Sequence, residues 1–221
     1  MKNSNMHFKM TTPPLRIVGS LLCALLVSLA ALTARAQTAT VIDPQGDAFY
    51  SNGHEAPAFL DILAASFTIS DTLTFTVDVA GSLDALPNPP GRGGVFFWHF
   101  GLDTDPSTDP PGFPEPPGQT ATAEFGVDAL WDGTEFSGVL FDRRPALTGQ
   151  PALLYSIPVS VSGSRITITV PEALAAQVRA AVVLPGATWN CSTVWNNTFL
   201  LGIGTNAIHR ADSIGQQPWP Q

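Results

Sequence analysis

A chain of 221 residues, 44% of them apolar and only 13% charged, carries ample material for a buried core, and its formal charge of −8 makes its surface acidic. That balance excludes nucleic acid and anionic lipid as partners, because both recruit positive charge. Cations, neutral ligands and basic surfaces remain.

The first 36 residues read as a secretory signal peptide. Lys2, Lys9 and Arg16 precede the apolar run "IVGSLLCALLVSLAAL", and the small residues of "ARA" end at Ala36. A membrane anchor is the rival, but the run falls short of the roughly 20 residues a spanning helix needs. Leu22 before Cys23 stands where a lipidation signal wants a small residue. Cleavage would remove two lysines, two arginines and no acid, leaving six arginines against 18 acids, a net charge of −12. The remaining 37–221 suits a single exported domain, periplasmic or extracellular, able to bury about 70% of its extended-chain surface. With only Cys191 left, no internal disulfide is available, and that thiol reads as a small apolar core group.

Beyond Gln37 the pattern has period two. "TATVID", "DILAASFTIS", "TLTFTVDVAG", "GVFFWHFGLD", "TATAEFGVDALWD", "EFSGVLFDRR", "ALLYSIPVSVSG" and "RITITVP" are rich in Val, Ile, Thr and Phe, with Gly, Asp, Asn or Pro between most of them. Short strands at such spacing predict an all-β chain, an antiparallel β-sandwich of jelly-roll-like character. Ser70–Asp71 and Gly163–Ser164 mark tight hairpins. "PEALAAQVRAAV" predicts one short helix near residues 171–181, opened by Pro171.

Carboxylates cluster in two places. "LDTDPSTD" sets Asp103, Asp105, Ser107 and Asp109 two apart at a strand end, so their oxygens share one side. Near the mature N-terminus, Asp43 closes one strand, Asp61 opens another, and Asp47 and Glu55 lie between them. Hard cations such as Ca2+ take six to eight oxygens, and acids crowded together need positive charge to stay ionised. Thr108 stands where an EF-hand loop requires Gly, so that motif is excluded. The alternative is that each Asp merely hydrogen-bonds its own turn.

No enzyme signature stands out. A G-x-S-x-G elbow is absent, and His54, His99 and His209 lack metal-ligand spacing, so His99 reads as a hydrogen-bonded structural group. "LDTDPS" mimics a phosphatase motif, but that chemistry needs a lysine that the exported chain lacks. A metal-assisted hydrolase would require an open coordination position facing a cleft. Five tryptophans accompany only two tyrosines. In "ATWNCSTVWNN", Trp189 and Trp195 beside Asn190 and Asn196 form the candidate ligand-binding set, since flat rings stack on sugars and amides read hydroxyls. Packing of these indoles into the core is the competing reading.

The opening "DPQGDA", then "LDI", "SDTLTFTV", "LDTDPST" and the late "RADSIG" resemble secreted bacterial β-sandwich domains that begin D-P-x-G-D and carry a central D-T-D. These are similar to family 9 carbohydrate-binding modules and the DOMON-like group. The resemblance covers nearly the whole exported chain. It implies a non-catalytic sandwich with structural calcium, held by Asp43, Asp47, Asp61, Asp103, Asp105 and Asp212. The Pro-rich insert after Asp109 departs from the compact D-T-D turn and leaves Asp109 and Glu115 outside that set. The expected partner is a glycan or cell-surface polymer; the alternative is an interaction protein with no small ligand.

Overall fold

A computed structural model describes residues 36–50, 53–90, 94–108, 123–196 and 208–221, with the backbone alone at 196, 208 and 209. The first 35 residues, Asp109, Glu115 and the side chain of Asn196 lie outside the described residues.

Among the described residues, eleven strands form two antiparallel sheets. The first five are β1 (Gln37–Ile42), β2 (Ile62–Ile69), β3 (Leu73–Val79), β4 (Val95–Asp103) and β5 (Phe125–Trp131). They are followed by β6 (Phe136–Asp142), β7 (Leu153–Ile157), β8 (Val159–Ser162), β9 (Arg165–Val170), β10 (Thr188–Asn196) and β11 (Ile208–Pro218). One sheet has the order β1-β2-β3-β9-β8, the other β11-β10-β4-β5-β6-β7. Two meanders, β1–β3 and β4–β7, are extended by two antiparallel pairs, β8–β9 added beside β3 and β10–β11 added beside β4. This is the sandwich expected from the alternation.

Strand β3 shows why the sheets face each other. Leu73, Phe75, Val77 and Val79 are buried while Thr74, Thr76 and Asp78 are half-buried, so one face is dry and the other wet. Phe67 stacks on Phe75 at 4.5 Å, and Phe75 meets Phe100 of the opposite sheet at 5.1 Å. Truncating a buried aromatic of this kind costs about 3–5 kcal/mol. These contacts bolt the layers together.

The stretch "ALLYSIPVSVSG" serves both sheets. Ile157 ends β7 in the six-stranded sheet, and after the single residue Pro158 the chain enters β8 in the five-stranded one. Proline has no N–H for the ladder, so pairing stops there and the strand changes partner. The β8–β9 turn carries Gly163 at φ 61°, a left-handed conformation that glycine adopts without strain. The expected helix, α1 (Glu172–Ala181), follows Pro171 and buries Ala175 and Val178. Arg179 fastens it by donating to the carbonyls of Ser70 at 2.7 Å and Asp71 at 3.0 Å. No helix among the described residues is long and apolar enough to cross a membrane.

Candidate metal centre

The edge of the sandwich where the start of β2 meets edge strand β11 gathers the acids. Asp43 follows β1, and its N–H donates to Leu63 of β2 at 2.9 Å. Asp61 immediately precedes β2, and Asp212 lies on β11 opposite Thr193 of β10. Two ladder irregularities aim these side chains. Between Thr193 and Val194, β11 uses one residue more than its partner, Ala211, and a second shift falls at Leu63 between Ile62 and Ala64. A bulge bends the strand and redirects its side chains. Here it turns Asp212 across the gap, where Oδ2 accepts from the Ile62 N–H at 2.7 Å and Oδ1 from its neighbour Ser213 at 2.7 Å.

One oxygen each from Asp43, Asp47 and Asp212 lie within 4.8 Å of one another. Oxygens bound to one calcium at about 2.3–2.6 Å can be no more than about 5 Å apart, so the spacing suits a shared ion. Asp61 stands beside this group, outside its 4.8 Å spacing, and its charge acts on Asp43 and Asp212. It is 5% exposed, and its Oδ2 accepts from the Gly46 N–H at 2.9 Å, which ties it to the loop carrying Asp43 and Asp47. Its Oδ1 is shut off from solvent and accepts no hydrogen bond among the described residues, as is Asp43 Oδ2. Buried acceptors left this way cost about 1–3 kcal/mol each unless something else satisfies them.

Electrostatics point the same way. Burial, then the charges of Asp212, Asp47 and Asp61, push the Asp43 carboxyl up to about 6. Asp212 is also raised, chiefly by burial, although the N–H groups of Ile62 and Ser213 pull it down. The nearby Cys191 thiol is fully buried, and burial with the charges of Asp212 and Asp43 drives it far above the usual thiol range. It stays protonated and is no thiolate ligand. The donors are all hard oxygens, which favours calcium or magnesium over soft metals.

Two expected ligands do not join. Asp103 stands level with Thr188, five residues along β4 from Trp98, which is level with Thr193 and so with Asp212. Five residues of strand separate them by about 17 Å. Asp105 is engaged locally, its Oδ1 accepting from Ser107 N at 3.0 Å and Ser107 Oγ at 2.6 Å, which holds its carboxyl below the usual range. The "LDTDPST" turn is organised instead by Glu124, a residue that no sequence pattern singled out. Glu124 Oε2 accepts from Thr104 N, Thr104 Oγ1 and Asp105 N at 2.6, 3.1 and 3.2 Å, and Oε1 accepts from Thr108 Oγ1.

The aromatic set also divides. Neighbouring strand residues face opposite ways, so Trp189 and Trp195 point to the core side of β10 while Asn190 lies on the other. Trp189 is 0% exposed, with Nε1 donating to the Pro218 carbonyl at 3.1 Å, and stacks no ligand. Asn190 packs over Gly101, whose N–H donates to Asn190 Oδ1 at 3.3 Å; a Cβ at 101 would lie 2.9 Å from that oxygen. Trp98 and Trp219 are buried as well. Trp131 and Trp195 are partly open and flank Phe96 in one row across β5, β4 and β10. Their indole N–H groups donate to Pro87 and Pro90 at 3.1 and 3.3 Å. His99 Nδ1 pairs with buried Asp128 Oδ1 at 2.5 Å, the satisfied arrangement expected of a structural histidine. No family model, curated protein or solved structure matches this chain.

Proposed function

We propose that the chain is an exported, non-catalytic β-sandwich module whose two sheets are clamped at their open edge by a divalent cation, calcium by the chemistry of its ligands. The observation carrying this reading is the meeting of Asp43 and Asp47, from the five-stranded side, with Asp212, from the six-stranded side, within 4.8 Å. Buried Asp61, with an unsatisfied oxygen, supports it. An ion there neutralises up to four carboxylates and ties β1 and β2 to β11, doing for this edge what a disulfide cannot do in a chain with one exported cysteine. The DPxGD resemblance points to the same use of Asp43 and Asp47.

Glycan or surface-polymer binding by this module would fall to Trp131 and Trp195, the two partly open indoles. A second reading, an interaction protein with no small ligand, is favoured by the burial of the other three indoles. Thermal melts of the mature chain test the clamp. At calcium 100-fold above its Kd, stabilisation is about 2.7 kcal/mol, or about 5–10 °C at the 2–4 °C per kcal/mol typical of this size. Coincident melts in excess EDTA and in millimolar calcium would refute it.

A further inference from the structure

We propose that filling the open-edge cation site fixes the aromatic corner of Tyr50 and Trp195, so that cation binding is transmitted to the end of the sandwich bearing both partly open indoles. This rests on the cation reading above and adds its consequence for the adjoining aromatic surface.

The connection runs through the stretch 43–50. Asp43 and Asp47 supply two of the converging oxygens, and Tyr50 follows three residues later. Ala48 is buried, and its carbonyl accepts from Ala56 N at 3.0 Å; Tyr50 N donates to His54 at 2.8 Å, and Gly53 N donates to Tyr50 at 2.8 Å. These bonds fold the segment back on itself, so a displacement at Asp47 is carried to Tyr50. The Tyr50 ring meets Trp195 edge-on, with centroids 6.2 Å apart and planes at 64°.

The ladder makes a second connection. Trp195 stands two residues beyond Thr193 on the same face of β10, about 6.6 Å away, and Thr193 is the cross-strand partner of Asp212. Thr193 Oγ1 donates to the carbonyl of Leu60, the residue before Asp61. Trp195 in turn holds the loop at 87–90, which Trp131 also holds. The cation site thus reaches the aromatic end from both sides.

Without the ion, four carboxylates repel. Asp47, exposed and on a loop, is the member that moves at least cost, while Asp61 and Asp212 are anchored by backbone N–H groups. Swinging Asp47 outward carries Tyr50 off Trp195. A cation binding the closed loop better than the open one shifts the population back.

The test uses 19F NMR of the mature chain labelled with 5-fluorotryptophan, in which five resonances are expected and Trp195→Phe assigns one. Calcium should move the Trp195 resonance along a saturable curve and leave that of fully buried Trp189, four residues along β10 from Thr193 in the other direction, in place. Tyr50→Ala should reduce the Trp195 response to the part carried by the ladder yet keep the calcium gain in melting temperature, whereas Tyr50→Phe, which retains the ring, should preserve both. A calcium-dependent melt with a static Trp195 resonance overturns the coupling and leaves the clamp standing. If neither quantity responds to calcium, both readings fall.

Discussion

Glu124→Ala should lower the melting temperature by about 6–12 °C, the largest effect expected of any single carboxylate in the chain. Glu124 is 2% exposed and Thr104 is fully buried. Removing the carboxylate strands the backbone N–H of Thr104, that of Asp105 and the Thr104 hydroxyl, while the Thr108 hydroxyl keeps the Asp105 carbonyl at 3.2 Å. Unsatisfied buried donors cost about 1–3 kcal/mol each, and partial rehydration at the turn brings the total to about 3 kcal/mol, equivalent to that shift at 2–4 °C per kcal/mol. Glu124→Gln retains an acceptor and should recover part of the loss. Circular-dichroism melts of the three proteins decide the matter, and an unchanged Glu124→Ala melt would show that the turn does not depend on its buried anchor. The acids of "LDTDPST" thus decorate a turn built around an internal carboxylate.

Asp43→Asn should have opposite effects with and without calcium. In the cation-free protein Asp43 titrates near 6 when folded and near 3.8 when unfolded, so the folded state holds its proton more tightly. That contribution to stability is fully present below about pH 3.8 and is lost as pH rises through about 6. Melting temperature in EDTA should therefore fall between about pH 4 and 7. An amide cannot ionise, so Asp43→Asn should flatten the fall and melt about 2 °C above the parent at pH 7.5 in EDTA. The gain is small because the residue is partly open to solvent, which screens the repulsion. In saturating calcium the order should reverse, because a ligand is gone. A flat parent profile in EDTA, or a variant less stable in both buffers, contradicts the placement of Asp43 among repelling charges.

Where apolar and polar residues alternate, as at 73–79, sequence and structure agree residue by residue, because a half-solvated sheet leaves its period in the chain. The alternation is missing from β10, where Thr193 occupies a core-facing position by bonding to the Leu60 carbonyl, and Ser192 is buried on the other face. Hence "TWNCSTVWN" reads as an aromatic cluster and not as the central strand it is, and β11 goes unread with it. The stretch 152–163 reads as one strand because Pro158 interrupts pairing without breaking the apolar pattern. At the candidate metal centre, Asp43, Asp47 and Asp61 follow from strand ends that neighbour each other in the chain, and Asp212 follows from the resemblance alone. What turns Asp212 inward is the extra residue Ala211, a matter of ladder register with no local signature. Register also removes Asp103, whose spacing to Asp105 is right for ligation but whose end of β4 lies level with Thr188.

The clamp itself is tested most directly by anomalous diffraction from crystals of the mature chain soaked in calcium or terbium. The account predicts one strong peak at the edge where β2 meets β11, about 2.3–2.6 Å from oxygens of Asp43, Asp47 and Asp212, with Asp61 beside them. A blank edge at full soak, or a lone peak at the Asp103–Asp105 turn, would mean that repulsion among these four side chains is relieved by protons and water, and that no metal joins the two sheets.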